Sequence, residues 1–163
     1  MIFVTVGHQM PFDRLIQAVD EWAGEVGRDD VFAQIGSASY EPCHIRWESF
    51  LDPDEFRHRI REATALIAHA GTGSILTALE YGKPILVMPR RAALHETRND
   101  HQVATAERFA EQDNVLVALD EMELAGQLGR LDELSLDDLE RISAKASPEL
   151  LRAVKSFIDE PGG

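Results

Sequence analysis

The sequence predicts an α/β domain built on one doubly wound parallel sheet. Short runs rich in Val, Ile and Leu alternate with amphipathic segments of about 10–15 residues, a pattern typical of βαβ units. The runs are continuously apolar, as expected of strands that helices cover on both faces. A length of 163 residues suits one such domain with a substantial core.

Each predicted element has its own local signal. For example, Asp52 can cap a helix that has Pro53 at its first position. The predicted strands are residues 2–6, 31–35, 65–68, 85–88 and 115–119. The predicted helices are residues 12–23, 53–63, 75–81, 99–111, 121–130, 136–146 and 149–158. Residues 44–47 and 50–51 are further short strands in this prediction, on weaker patterns.

The chain divides into a sheet domain, residues 1–131, and a helical C-terminal extension, residues 132–163. The last helix carries an apolar stripe of Leu150, Leu151, Val154, Phe157 and Ile158. This stripe either packs on the chain's own sheet or docks on a partner chain, and the sequence leaves both open.

Charge and composition exclude several classes of protein. The net charge of −13 and the pI near 4.8 oppose binding to nucleic acid and to anionic lipid. The sequence shows no apolar run long enough to cross a bilayer, and its first residues are not expected to act as a signal peptide. The single cysteine, Cys43, rules out an intrachain disulfide and fits a reducing cytoplasm.

The segment AHAGTGS, residues 68–74, follows a predicted strand and opens a helix. Free N–H groups at a helix start attract an anion, and glycines let a ligand approach the backbone closely. The segment therefore predicts a phosphate or diphosphate site, and the alternative is a tight turn whose glycines serve packing. It is not a Walker loop, because no Lys follows the second glycine.

Two further loops are expected at the same edge of the sheet. Residues 89–102 contain Arg90, Arg91 and Arg98, together with Asp100 and Gln102. The arginines suit the phosphates of a sugar diphosphate, and Asp100 and Gln102 suit its sugar hydroxyls. The alternative is a solvated loop that caps the next helix.

The loop after the first strand carries Gly7 and His8, whose amides can contact the same phosphate. His8 is alternatively an incidental loop residue. His44 and His58 have no partners at metal-ligand spacing, so the sequence predicts no metal site.

The segment HAGTGSILTALEYGKPILVMP, followed by RNDHQVATAERF, resembles the C-terminal, donor-binding domain of family 28 glycosyltransferases. The segments IFVTVG, PFDRLI and AQIG also fit, so the resemblance covers roughly residues 1–120. It is greatest to free-standing forms of the domain. These include the catalytic subunit of the dolichol-linked N-acetylglucosamine transferase and bacterial exopolysaccharide subunits of the PssE type.

The resemblance implies the C-terminal half of a GT-B enzyme, with a Rossmann-type sheet, a UDP-sugar donor, inverting transfer and no metal or other cofactor. It assigns the diphosphate to His69, Gly71, Thr72, Gly73 and Ser74. It assigns the uracil to Phe50 and Leu51, and the donor sugar to Asp100, His101 and Gln102, to which we add the cation of Arg98.

One position departs from the family pattern. Many relatives carry an acidic residue that grips the ribose where this chain has Thr77, and Glu80, three residues on, is the expected substitute. The sequence identifies no secure catalytic base, and His8 is the one loop histidine worth testing.

The resulting prediction is a UDP-sugar-dependent hexosyltransferase subunit of polysaccharide or glycolipid synthesis. It is expected to act as a heterodimer with a membrane-anchored, acceptor-binding subunit, and to meet the inner face of the membrane only through that partner. Transfer to a lipid-linked acceptor is expected. The alternatives are a non-catalytic module that binds nucleotide sugars or regulates, and a nucleotide-sugar epimerase, although epimerases of this fold need two domains.

Overall fold

The computed structural model describes residues 1–133, which form a six-stranded sheet with helices on both faces. The strands are β1 (Ile2–Thr5), β2 (Val31–Gln34), β3 (Arg46–Glu48), β4 (Ala65–His69), β5 (Ile85–Met88) and β6 (Val115–Val117). The helices are α1 (Asp13–Val26), α2 (Pro53–Glu62), α3 (Thr72–Glu80), α4 (His101–Phe109) and α5 (Glu121–Asp132).

The strand order is β3-β2-β1-β4-β5-β6, and every neighbouring pair is parallel. The predicted α/β fold with a doubly wound parallel sheet is confirmed. The order reverses between β1 and β4 at the centre of the sheet, which makes this pair the topological switch point. The loops that follow β1 and β4 therefore diverge above the same crevice.

The two faces of the sheet bury separate cores, because side chains alternate along each strand. On one face Ile2 and Val4 pack against apolar residues of α1 and α5. On the other face Phe3 packs with residues of α2, α3 and α4. This second face underlies the glycine-rich loop and so supports the candidate site.

Several element boundaries differ from the predicted ones. Helix α3 begins at Thr72, three residues before the predicted start, because the backbone of Gly71 serves as its N-cap. The strand beyond β2 is Arg46–Glu48, and residues 50–51 are not a strand. The helix start at Asp52 is confirmed, with its carboxylate accepting the Glu55 N–H at 2.9 Å.

The loop of residues 37–45 is held by carboxylates of α1 rather than by a strand ladder. The buried carboxylate of Asp20 accepts the Tyr40 hydroxyl at 2.7 Å and the N–H groups of Cys43, His44 and Ile45 at 2.7–3.1 Å. About two turns nearer the start of α1, Asp13 accepts the N–H groups of Ser39 and Tyr40. The loop is therefore ordered without regular secondary structure.

The predicted helices at residues 136–146 and 149–158 lie outside the described residues, as does the apolar stripe of the last helix. The boundary placed after residue 131 stays a prediction. Within residues 1–133, no helix combines the length and apolar character needed to cross a membrane.

Candidate functional site

The start of α3 leaves its first backbone N–H groups open. Gly71 is the N-cap residue with an extended backbone (φ −80°, ψ 139°), and no side chain caps the helix. The first intrahelical bond of this turn runs from Ile75 N to Gly71 O. The N–H groups before Ile75 therefore point out of the helix start, where the macrodipole favours an anion.

The glycines around this start have different roles. A Cβ on Gly71 would overlap the His69 ring, 2.9 Å from Nδ1, and a Cβ on Gly7 would lie 3.0 Å from His69 Nε2. Gly7 also has φ +74°, which disfavours other residues. A Cβ on Gly73 would meet nothing within 4 Å. Gly7 and Gly71 thus allow close packing of His69, while Gly73 leaves open space for a ligand.

His69 ends β4 and packs between these two loops. Burial, and then the charge of Arg90, lower the pKa of His69 to about 4. The imidazole is therefore neutral at pH 7. Gln102 Nε2 lies 3.2 Å from its Nδ1, and Ser74 Oγ lies 3.2 Å from its Nε2. His69 is accordingly a neutral link between the start of α3 and the start of α4.

Arg90 lies beneath the β1–α1 loop and is 4% exposed. Its Nη2 donates to Val6 O at 2.7 Å and to Met10 O, and its guanidinium lies 5.2 Å from the Phe12 ring centroid. Its backbone N–H donates to Gln102 Oε1 at 3.1 Å. Arg90 therefore fixes the loop that carries Gly7 and His8 and also reaches the start of α4.

The rest of the 89–102 loop is tied to the body of the domain. Glu96 accepts two bonds from Arg14 of α1, at 2.9 and 3.0 Å, and a third from Arg91 N. The Arg91 side chain donates to Leu119 O at 2.9 and 3.3 Å. Asp100 Oδ1 accepts Ala92 N at 2.9 Å, next to a 3-10 turn at Ala92–Leu94 that the sequence did not predict.

A cavity of about 330 Å³ opens beside the start of α3, between the sheet, α2 and α3. Its upper wall comes from the loop after β1 and from the β4–α3 segment, and its floor is a row of apolar side chains on the sheet. The lining residues are Phe3, Thr5, Gly7, His8, Phe56, Ile60, Leu66, Ala68, His69, Gly73, Ser74, Thr77 and Ile85. None of them is Asp, Glu, Lys or Arg.

The structure brings together most of the predicted diphosphate residues, since Gly7, His8, His69, Gly73 and Ser74 all line this cavity. Gly71 and Thr72 form the helix start beside it. These residues lie together because the two loops follow strands that are neighbours in the sheet.

The predicted uracil residues are separated. Phe50 is 54% exposed and stacks on His8, with ring centroids 6.4 Å apart and planes at 11°. Leu51 is buried in the core of the second face, so its side chain does not face the crevice.

The predicted donor-sugar residues are also separated. Gln102 reaches His69, whereas Arg98, Asp100 and His101 are exposed and do not line the cavity.

The two predicted ribose residues are also placed differently from each other. Thr77 lines the cavity and donates its hydroxyl to Gly73 O at 2.8 Å, whereas Glu80 is exposed and lies outside the lining.

Comparison with protein families decides the affiliation of the chain. The model of the glycosyltransferase family 28 C-terminal domain matches residues 1–158. The chain belongs to this family. The predicted resemblance to the C-terminal domain of family 28 glycosyltransferases is therefore confirmed.

Curated relatives of this family 28 domain include subunits of one enzyme. The human UDP-N-acetylglucosamine transferase subunit ALG13 is 34% identical over 118 residues, which is 66% of this chain and 10% of that protein. The subunit of the same name from Eremothecium gossypii is 37% identical over 93 residues, 56% of this chain and 44% of that protein. The chain thus spans less than half of either relative.

Solved structures share the fold at low sequence identity. A kitacinnamycin glycotransferase superposes with a TM-score of 0.67 at 18% identity, over 96% of this chain and 42% of that one. Acinetobacter baumannii MurG gives 0.61 at 16% identity, over 94% and 49%. The solution structure of ALG13 gives 0.56 at 20%, over 78% and 83%. The family 28 domain therefore has the Rossmann-type fold of one half of a GT-B glycosyltransferase.

The sequence does not predict that arginine side chains hold loops of this family 28 domain together. Three cations in one loop suit a phosphate, with a solvated loop as the alternative, yet the side chains of Arg90 and Arg91 both donate to backbone carbonyls. No local pattern identifies such carbonyl partners, since they lie 28 and 84 residues away in the chain.

Within residues 1–133, no group of three or more His, Cys, Asp or Glu side chains is arranged to hold a metal ion.

Proposed function

We propose that this chain binds the UDP-sugar donor of an inverting glycosyltransferase and acts with a separate acceptor-binding subunit. The observation that carries the proposal is the open start of α3 at the switch point of the sheet, next to the cavity and the unobstructed face of Gly73. Family membership supports the donor class.

The diphosphate would lie against the N–H groups at the start of α3, with the Ser74 hydroxyl beside them. In the transfer the acceptor hydroxyl attacks the anomeric carbon, the bond from that carbon to the diphosphate breaks, and UDP leaves. The negative charge that develops on UDP is stabilised by donors already in place. The same donors offset, over a few ångströms, the repulsion of an anion by a chain of net charge −13.

The proton of the acceptor hydroxyl needs a base. His8 is the candidate in this chain, because it lines the cavity and is exposed at the rim. The proposal places the acceptor-binding surface on a membrane-anchored partner at the cytoplasmic face, with a lipid-linked acceptor of polysaccharide or glycolipid synthesis. The names of the curated relatives support a partner, because each relative is a subunit of a transferase.

Calorimetry of UDP binding tests the donor site. Gly73→Asp places a carboxylate at the helix start, and a Cβ there meets no other atom, so the fold should tolerate the change. We expect at least a tenfold loss of UDP affinity, since charge repulsion replaces a favourable contact. Gly126→Asp is the matched control, because its Cβ also enters open space, on α5 away from the cavity. Equal UDP affinity in wild type and Gly73→Asp would remove the site from the start of α3.

A non-catalytic module that binds or senses nucleotide sugars is the second candidate. It is favoured by the absence of an acidic residue from the cavity lining and by the engagement of the Thr77 hydroxyl with Gly73 O. A transfer assay separates the two: the chain captured with its membrane partner should release UDP from a UDP-sugar only when acceptor lipid is added. UDP binding without acceptor-dependent release would favour the non-catalytic module.

A further inference from the structure

A chain of hydrogen bonds crosses from the start of α4 to the start of α3. Arg90 N donates to Gln102 Oε1 at 3.1 Å, Gln102 Nε2 lies 3.2 Å from His69 Nδ1, and Ser74 Oγ lies 3.2 Å from His69 Nε2. This series of hydrogen bonds ends at the cavity, which Ser74 and His69 both line.

The donor and acceptor of every bond in this series follow from its first bond, from Arg90 N to Gln102 Oε1. A backbone N–H can only donate, so the atom of Gln102 that faces Arg90 N is the carbonyl oxygen, and the amide NH₂ faces His69. The NH₂ group can only donate, so His69 Nδ1 accepts and carries no proton. Because the imidazole is neutral, its one proton is on Nε2 and is donated to Ser74 Oγ.

The hydroxyl proton of Ser74 is consequently left for another acceptor. A Ser or Thr within a helix commonly donates to the carbonyl four residues earlier, as Thr77 does to Gly73 O and Thr105 to His101 O. Within residues 1–133, Ser74 makes no such bond, and its one hydrogen-bond partner is His69. Its O–H is therefore available to the cavity.

We infer that Gln102 and His69 are positioning residues that commit the Ser74 hydroxyl to donate a hydrogen bond to an anionic oxygen in the cavity. The inference rests on the proposed function in one respect, the identity of that oxygen as one of the diphosphate. It gives Gln102 a role in addition to the predicted contact with the donor sugar, since Arg90 N and His69 Nδ1 engage one lone pair and one N–H of its amide. The site then selects ligand groups that only accept, such as a deprotonated phosphate.

The tautomer of His69 is the first test, and it needs no ligand. Nitrogen-detected NMR of ¹⁵N-histidine-labelled full-length chain, assigned with His69→Asn, reports which ring nitrogen carries the proton. We expect the Nε2–H tautomer at pH 7. In Gln102→Met, which is similar in size and lacks both polar atoms, we expect a substantial fraction of the Nδ1–H tautomer. An Nδ1–H tautomer or an imidazolium in the wild type overturns the inference.

A double-mutant cycle tests the effect on the ligand, with UDP and inorganic pyrophosphate as probes. We expect Gln102→Met and Ser74→Ala each to lower affinity about fivefold, the scale of one hydrogen bond. Gln102→Met should have no further effect in the Ser74→Ala background, because Gln102 acts through Ser74. A purely structural role of Gln102 would instead give additive losses and would overturn the inference.

The two proposals fail in different ways. If wild type binds pyrophosphate with this non-additive dependence but does not bind UDP, the proposed function fails and the inference stands. If wild type binds UDP and the losses are additive, the inference fails and the proposed function stands. If wild type binds neither probe, both the UDP site and the role of Ser74 as a donor to an anion are rejected.

Discussion

At the scale of single residues, buried polar groups decide how the loops of this domain are held. Asp20 is the clearest case, because its side chain is fully buried and accepts four hydrogen bonds from residues 40–45. Burial alone would raise the pKa of Asp20, but the bonds from Cys43, Tyr40, His44 and Ile45 together lower it. Conversely, the bond to Asp20 raises the pKa of Tyr40 to about 12.

Replacement of Asp20 by Asn should destabilise the protein by about 2–4 kcal/mol at pH 7, because an amide NH₂ then faces backbone donors. Because the pKa of Asp20 is lowered on folding, its carboxylate stabilises the folded protein. This contribution is complete above the pKa of about 3.9 in the unfolded chain and is lost as pH falls through the pKa in the folded protein. Urea unfolding at pH 7 and at pH 3 measures both effects. The difference between wild type and Asp20→Asn should shrink at pH 3, and Asp29→Asn, at an exposed position, is the control.

Thr77 lines the cavity at the position where many relatives carry an acidic residue, and it bears on the ribose preference of the proposed UDP site. Since no carboxylate lines the cavity, we expect wild type to bind UDP and 2′-deoxy-UDP with affinities within about threefold. Thr77→Glu should bind UDP about five- to tenfold more tightly than 2′-deoxy-UDP, the scale of one hydrogen bond to a charged group. Competition calorimetry measures the ratio, and Glu80→Ala shows whether the next turn of α3 contributes. A strong preference for UDP in wild type that Glu80→Ala abolishes would assign the ribose contact to Glu80.

At the scale of elements, the loop between β5 and α4 is ordered by its attachment to α1. Glu96 joins Arg14, whose pKa is raised overall: burial alone would lower it, and the bonds and charges of Glu96 and Glu121 outweigh that effect. Both side chains are about one-tenth exposed, at 13% and 11%, so solvent weakens this pair less than it would a surface pair. The attachment holds the loop that ends at Asp100 and Gln102.

Removal of this attachment should release the loop without unfolding the sheet. We expect Glu96→Ala to raise the rate of trypsin cleavage after the exposed Arg98 about tenfold, since local opening follows the loss of charge-assisted bonds. Limited proteolysis with mass spectrometry measures the rate. Glu107→Ala, on the exposed side of α4, is the matched control. Unchanged cleavage at Arg98 would mean that other contacts hold the loop.

At the scale of the whole molecule, the net charge of −13 acts against an anionic ligand. Charges spread over the surface are screened beyond about 10 Å at 0.1 M salt, whereas contacts within the cavity are not. We therefore expect the UDP association rate in stopped-flow to rise about two- to fivefold between about 10 and 150 mM salt. A rate that falls with added salt would show that local positive charge, rather than the net charge, controls the encounter.

The fold class, most elements and the loops that line the candidate cavity can be predicted from the sequence alone. Apolar periodicity marks β1, β2, β4 and β5 because each is buried on both faces, so the pattern needs no knowledge of its partners. The glycine-rich loop could be predicted because helix starts and the conformations of glycine depend mainly on residues nearby in the sequence. Residues 37–51 were not predictable in this way, since the loop within them is held by Asp13 and Asp20 from another element.

Which polar residues face the cavity depends on the tertiary structure. From the sequence, His69 is a diphosphate candidate, Gln102 and Arg98 are donor-sugar candidates, and Arg90 suits either a phosphate or a solvated loop. The fold engages Arg90 with the carbonyls of Val6 and Met10, makes His69 neutral by burial, and turns Gln102 toward His69. The physical reason is that a polar side chain's role depends on the acceptors and donors packed around it, and these come from strands and loops distant in the chain.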